Sequence, residues 1–209
     1  MSGAFARLGR WLRGGRAREG EGLGEAAEPV ALTGPWRAGV AVSMHSGEEG
    51  LTPAGELLDR FKYGGERRLA PTLGRALAEV VRSRPEFDGV EAVVHVPATG
   101  RRRRAEPTCD LARAAARALR ARCLPGLIAC VRPAAAQKDL FRWEEKVGNV
   151  RGAFRVRRAA FVKGRRLLLV DDVYDSGATL EEVWRVLMEA GAAEVLVATV
   201  TKAHYRRER

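Results

Sequence analysis

Residues 167–179 read Leu-Leu-Leu-Val-Asp-Asp-Val-Tyr-Asp-Ser-Gly-Ala-Thr, and no other stretch of the chain restricts its fold so strongly. Four consecutive apolar residues, Leu167 to Val170, suit a strand covered by helices on both faces, as in a parallel sheet. The run then meets two adjacent carboxylates, Asp171 and Asp172, where the middle of a core strand tolerates none. A short loop of small and hydroxyl residues follows, and then a helix with Leu180, Val183, Leu187 and Met188 on one face. Thr179 and Glu182 have the spacing of a capping box at its start. Carboxylates thus sit at the carboxyl end of a strand, beside a Gly-containing loop that feeds a helix N-terminus. Backbone N–H groups and the helix dipole hold a phosphate in such a place while the acids grip neighbouring hydroxyls. A ribose 5-phosphate fits that description.

The segment resembles the signature of type I phosphoribosyltransferases, which bind 5-phosphoribosyl-1-pyrophosphate (PRPP). The resemblance implies an α/β fold with a largely parallel central sheet, flanking helices and a small hood subdomain. It maps the ribose hydroxyls to Asp171 and Asp172, and the 5-phosphate to Asp175, Ser176, Gly177, Ala178 and Thr179. Asp175 stands where purine-salvage relatives carry a carboxylate near the base, which makes it the candidate catalytic proton acceptor.

Rival readings of the same residues fare less well. A solvated strand end with a turn leaves the phosphate-type loop and the following helix unexplained. A response-regulator receiver also opens with a strand ending in acids, but too few residues follow Asp172 for its remaining units. No G-x-x-x-x-G-K-[ST] loop occurs, and no G-x-G-x-x-G follows a strand, so triphosphatase and dinucleotide readings lack support.

Strands alternating with helices run through the rest of the chain. Leu57–Tyr63, Leu69–Val81, residues 108–122 and 180–190 read as helices. Ala92–Val96, Leu127–Val131 and Val195–Val200 read as strands, and Ala38–Met44 as a strand of an accessory subdomain. Residues 1–28 form a basic, Gly/Glu/Arg-rich N-terminal segment or linker. Residues 29–209 form the domain, with the hood within 30–65.

The 209-residue chain is 46% hydrophobic, enough for a full core. Its formal net charge of +11, carried mostly by arginine, favours polyanionic partners, although a generally arginine-rich proteome explains it equally well. Cys109, Cys123 and Cys130 lack C-x-x-C spacing, which leads to an expectation of reduced thiols, no metal site and a cytoplasmic setting. No run approaches the length of a membrane span.

A second constellation follows the strand ending at Val96. Ala98, Thr99, Gly100 and Arg101 lie where type I phosphoribosyltransferases place their pyrophosphate loop. Arg102, Arg103 and Arg104 extend it as a contact to single-stranded DNA or as a solvated patch. Arg113, Arg117 and Arg120 on the next helix prolong the basic series. A third lies in the long polar connection 132–154, which reads as a flexible lid. Gln137, Lys138, Asn149 and the Gly152-Ala153-Phe154 end resemble the matching segment of competence protein F-like phosphoribosyltransferases, as does Phe61-Lys62-Tyr63-Gly64. Phe141, Trp143 and Phe154 either stack on bases or close the lid.

The cysteine pairs that bind zinc in the competence proteins are absent. That absence and the Arg104-Ala105-Glu106-Pro107-Thr108 run after the Val-Pro, with Asp175 to Thr179 and Thr201-Lys202, make the chain more similar to the domains found C-terminal to RecQ-type DNA helicases. The resemblance implies Mg²⁺ accompanying PRPP, and two open readings. One is transfer of phosphoribosyl to an unidentified nitrogen nucleophile with release of pyrophosphate. The other is a non-catalytic module that senses PRPP or binds single-stranded DNA. A DNA helicase and a second copy of the chain are the further candidate partners.

Overall fold

Leu167–Val170 lie fully buried between helices, as an uninterrupted apolar run requires. The structure, a computed structural model, describes residues 28–99, 106–132 and 143–204. In chain order the elements are β1 (Val30–Ala31), β2 (Gly39–Met44), β3 (Ser46–Gly47), β4 (Gly50–Leu51), α1 (Pro53–Lys62), α2 (Ala70–Arg82) and β5 (Ala92–His95). There follow α3 (Pro107–Leu119), β6 (Arg122–Cys123), β7 (Ile128–Cys130), α4 (Trp143–Val150), β8 (Phe154–Val156), β9 (Arg166–Tyr174), α5 (Ala178–Glu189) and β10 (Glu194–Lys202).

The central sheet has the order β1-β2-β10-β9-β5-β6. Only the β1–β2 pair at one edge is antiparallel. Leu168 and Val170 pack toward Leu58, Phe61, Leu73, Leu77 and Leu111 of α1, α2 and α3. Leu167 and Leu169 pack toward Leu180, Val183 and Leu187 of α5. Each such leucine contributes about 2 kcal/mol by leaving water, so β9 is pinned from both sides. It carries Asp171 and Asp172 to the carboxyl edge of the sheet.

The fold departs from the sequence expectations in four places. β2 is no strand of an accessory subdomain, because Val40–Val42 are buried and β2 pairs in parallel with β10. The helix expected over 108–122 stops at Leu119, where Arg120 takes the left-handed conformation (φ 57°) and Arg122 turns into β6. Arg120 therefore leaves the helical face that Arg113 and Arg117 occupy. β7 pairs with β8 in a separate hairpin. The connection 132–154 contains α4 and the start of β8, and Phe154 is buried in the core, where it cannot stack on a base. Gly100 to Arg104, Gln137, Lys138, Phe141 and the N-terminal segment up to residue 27 lie outside the described residues. Among the described residues, no helix is long and apolar enough to cross a membrane.

Two glycines in helices test the packing in opposite directions. A Cβ on Gly74 of α2 would meet Ala114 Cβ at 2.5 Å and the Ala115 nitrogen at 2.7 Å in α3. A Cβ on Gly148 of α4 would meet nothing within 4 Å. Gly74→Val should therefore cost about 2 kcal/mol or more through overpacking. Gly148→Ala should stabilise by about 0.5–1 kcal/mol through helix propensity. Urea unfolding of both variants checks the opposite signs.

Candidate functional site

Side chains along a strand alternate between its faces, so Asp171 and Asp172 meet different surroundings. Asp172 turns toward α1, where Lys62 Nζ lies 2.8 Å from its Oδ2, both side chains about 15% exposed (16% and 15%). Burial works against the Lys62 charge. The adjacent Asp172 carboxylate outweighs it, and the lysine is held above its ordinary range.

Asp171 faces the α5 side. With Val173, Asp175, Ser176, Gly177, Thr179 and Leu180 it lines a cavity of about 140 Å³. The carboxyl reaches the cavity but is otherwise enclosed by protein. That desolvation, with the charge of Asp172 added, raises it well above the usual carboxylate range. The Asp172 N–H donates to Asp171 Oδ1 at 2.8 Å and works the other way.

The loop after β9 turns through Gly177, whose φ of +86° suits glycine. A Cβ there would also strike the Tyr174 ring at 2.9 Å. Tyr174 is in turn held by its hydroxyl, which donates to Thr33 O at 2.7 Å, and by edge-on contact with Trp36 (centroids 6.4 Å apart). Gly177 is the N-cap of α5, so the expected capping box does not form. Glu182 instead accepts from the Gly152 N–H (2.8 Å) and from Arg185 (2.7 Å), tying α5 to the end of the connection. The Ala178 side chain is buried in the core, and its N–H lies 3.4 Å from Ser176 Oγ. The first-turn N–H groups of a helix have no intrahelical acceptor, and Thr179 and Leu180 bring that end of α5 to the cavity.

Val96 N–H donates to Val170 O at 3.1 Å, so Ala98 and Thr99 follow β5 out of the sheet on the side where β9 carries Asp171 and Asp172. Asn149 lies in the last turn of α4. Arg132 donates to the carbonyls of Asn149 and Arg151 (2.9 and 2.8 Å) and so fastens the two ends of the connection together.

Two lysines complete the charge pattern. The sequence reading met Lys62 only within the Phe61–Gly64 resemblance and Lys146 only among the cations interleaved with Phe141, Trp143 and Phe154, and gave neither a carboxylate partner. Lys146 is buried, and its Nζ lies 2.6 Å from Asp175 Oδ2. Its signal was available: with Trp143 and Val150 it shares one helical face at i, i+3 and i+7, and a lysine on such an apolar stripe needs a buried partner. Among the described residues no group of three or more His, Cys, Asp or Glu is arranged to hold a metal. His95 is buried and pairs with Val96 O (3.1 Å). Cys109, Cys123 and Cys130 are free thiols.

The raised Asp171 carboxyl predicts a pH signature. The native state binds this proton more tightly than the unfolded chain, so its stabilising effect is complete in acid. It is lost as pH climbs from about 4, the unfolded value, through the raised native one. Asp171→Asn has no proton to lose. It should melt above the parent at pH 8, and the gap should close near pH 4. Calorimetry across that range measures it.

Residues 48–209 match the phosphoribosyl transferase domain family. A relative from Escherichia coli O6:H1 (strain CFT073), DNA utilization protein YhgH, is 29% identical over 169 residues, covering 78% of this chain and 71% of its own. Among solved structures, glutamine PRPP amidotransferase from B. subtilis, complexed with ADP and GMP, is similar at a TM-score of 0.47 and 20% identity over 68% of this chain. The match spans only 30% of the amidotransferase's length. Hypoxanthine phosphoribosyltransferase from Trypanosoma cruzi, complexed with IMP, gives 0.41 and 16% over 65% of this chain and 73% of that one. The match over residues 48–209 takes in well over half of the sequence, and the chain belongs to the phosphoribosyl transferase domain family.

Proposed function

We propose that this chain binds PRPP at the carboxyl edge of its sheet and transfers the phosphoribosyl group to a nitrogen nucleophile, releasing pyrophosphate. The observation that carries the reading is the convergence of Asp171, Asp175, Ser176, Gly177 and Thr179 on one cavity beside the α5 N-terminus. The cavity has room for a phosphate group, which the N–H groups of the α5 first turn and the hydroxyls of Ser176 and Thr179 would hold. Asp171 and Asp172 would orient the ribose hydroxyls. Thr99, with Gly100 and Arg101 beyond it, would receive the pyrophosphate, where negative charge builds as the C1–O bond breaks. Asp175, oriented by Lys146, would take the proton from the nucleophile.

The donors suit Mg²⁺ in one respect, since carboxylate oxygens are hard ligands. The described residues offer no protein cage, and Lys62 already supplies Asp172 with a cation. Mg²⁺ would therefore be held mainly through the pyrophosphate and ribose oxygens, with Asp171 and Asp172 at its margin. Its chemistry when bound is neutralisation of charge on the departing pyrophosphate.

A second reading, a module that binds PRPP without turning it over, draws on the lysines. Lys62 and Lys146 lie within 2.8 Å of Asp172 and Asp175 respectively, and proton transfer to Asp175 requires that its own pair loosen. A link to DNA metabolism, including association with a helicase and a cytoplasmic setting, belongs to the same proposal. The DNA link draws on the relative described as a DNA utilization protein, the helicase on the resemblance at Asp175–Thr179 and Thr201-Lys202, and the setting on the cysteine pattern.

Incubation with PRPP, Mg²⁺ and a panel of nitrogen bases and ammonia, read as pyrophosphate, separates the readings. The enzyme reading expects pyrophosphate release in the presence of one acceptor. It also expects release to fall about tenfold or more per acid in Asp171→Asn and Asp172→Asn, as loss of a charged hydrogen bond costs about 1.5–3 kcal/mol. PRPP binding with no release for any acceptor would favour the module. Release unaffected by both substitutions would place the chemistry elsewhere.

A further inference from the structure

A concavity larger than the one at Asp171 lies away from the acids. It measures about 320 Å³ and is lined by the Cys123–Leu127 turn on one side and by Arg157, Arg158 and Phe161 on the other. Cys123 belongs to β6, the edge strand of the sheet, and is in register with Val93, which is in register with Leu168. The concavity thus begins at the β6 edge of the sheet, three residues short of Asp171 along the strands and two strands away from it. Strands are spaced about 4.8 Å apart, so this is a separate place.

Its chemistry is uneven in an informative way. Several surface arginines are matched by acids: Arg37 and Arg166 share Glu194, Arg165 meets Glu91, and Arg67 meets Asp110. Arg157 and Arg158 are exposed and have no carboxylate partner among the described residues, and no acid lines the concavity. Opposite them lie the apolar Leu124, Pro125 and Leu127, and the Phe161 side chain is 40% exposed at the rim. Two uncommitted guanidinium groups bind a phosphate in planar, bidentate fashion. An exposed aromatic ring over an apolar floor takes a flat heterocycle. A hydrocarbon ligand would leave the arginines idle, and an inorganic anion would leave Phe161 and the floor idle.

We propose that this concavity is a second binding site, for one nucleotide unit, with its phosphate on Arg157 and Arg158 and its base against Phe161. The volume lies at the small end of ligand cavities, about 300 Å³, which suits a single unit. The site binds and does not react: burial pushes the Cys123 thiol up to about 11, so it is protonated and inert near neutral pH. The unit can come from a free nucleoside monophosphate or from a stretch of single-stranded nucleic acid, and the two share the recognition chemistry.

The test uses the full chain, with AMP and dTMP followed by calorimetry and a fluorescein-labelled oligothymidylate followed by anisotropy, each at low and physiological salt. All titrations are repeated in an Asp171→Asn/Asp172→Asn background, so that occupancy of the proposed PRPP site, or its failure, is read separately. Binding of either ligand should survive in that background. It should weaken about tenfold or more in Arg157→Gln/Arg158→Gln, and roughly five- to tenfold in Phe161→Ala through lost stacking, with unfolding midpoints unchanged. Arg75→Gln, a remote exposed arginine, should have no such effect. Mononucleotide binding identifies the free ligand as the source, and oligonucleotide binding alone identifies the polymer. The proposal is overturned if neither ligand binds at low salt, or if Arg75→Gln weakens binding as much as the paired substitution. Loss in the aspartate background, or displacement only by an acidic peptide, overturns it equally.

Discussion

A carboxylate near the end of a buried strand must find a cation or give up its charge, and β9 carries two before its last residues, Val173 and Tyr174. The structure meets the demand differently for each. Asp172 is matched by Lys62, and that pairing accompanies the seating of α1 over the sheet end, with Leu57, Leu58 and Phe61 buried beneath it. Among the described residues Asp171 has no such partner at close range, and it is enclosed enough that its proton is held well above the usual carboxylate range. A third acid, Asp175, takes its lysine from α4. The charged edge of the sheet is thereby assembled from three segments far apart in sequence, and its geometry depends on all of them being docked.

The phosphate-type loop is supported in the same non-local way. Gly177 can turn as it does because it has no Cβ to meet the Tyr174 ring, and Tyr174 is fixed by Thr33 and Trp36 near the start of the described chain. Glu182 and Arg132 then secure the two ends of the long connection, one to α5 and the other across its own base. The cavity is therefore walled by a strand and a helix, with its loop braced from behind. This is the arrangement that lets small side chains and backbone groups, rather than long flexible ones, present donors to an anion.

How much of this was legible in the sequence follows from the range of the interactions. β9 and α5 were readable because an apolar run and a 3.6-residue stripe are local signals, and the family resemblance in residues 167–179 is carried by the same local pattern. The α/β class was readable from alternation. The misread elements turned on tertiary context. β2 alternates only weakly because its inner residues are buried on both sides, so nothing local separates a sheet strand from an accessory one. Thr179 and Glu182 have capping-box spacing, but the Gly177 turn starts α5 one residue before Thr179 and sends Glu182 to Gly152 instead. Lys62 was visible as a lysine on a helix with a buried face, whereas Lys146 fell in a connection read as a lid, and their partners are 110 and 29 residues away.

The central claim is that the Asp171–Thr179 segment holds PRPP. Isothermal titration of the full chain with PRPP in the presence of Mg²⁺ tests it most directly. Saturable one-site binding that is lost in Gly177→Val, where the loop can no longer turn against Tyr174, is the result predicted. Absence of heat at millimolar PRPP, or binding that survives Gly177→Val undiminished, would contradict it.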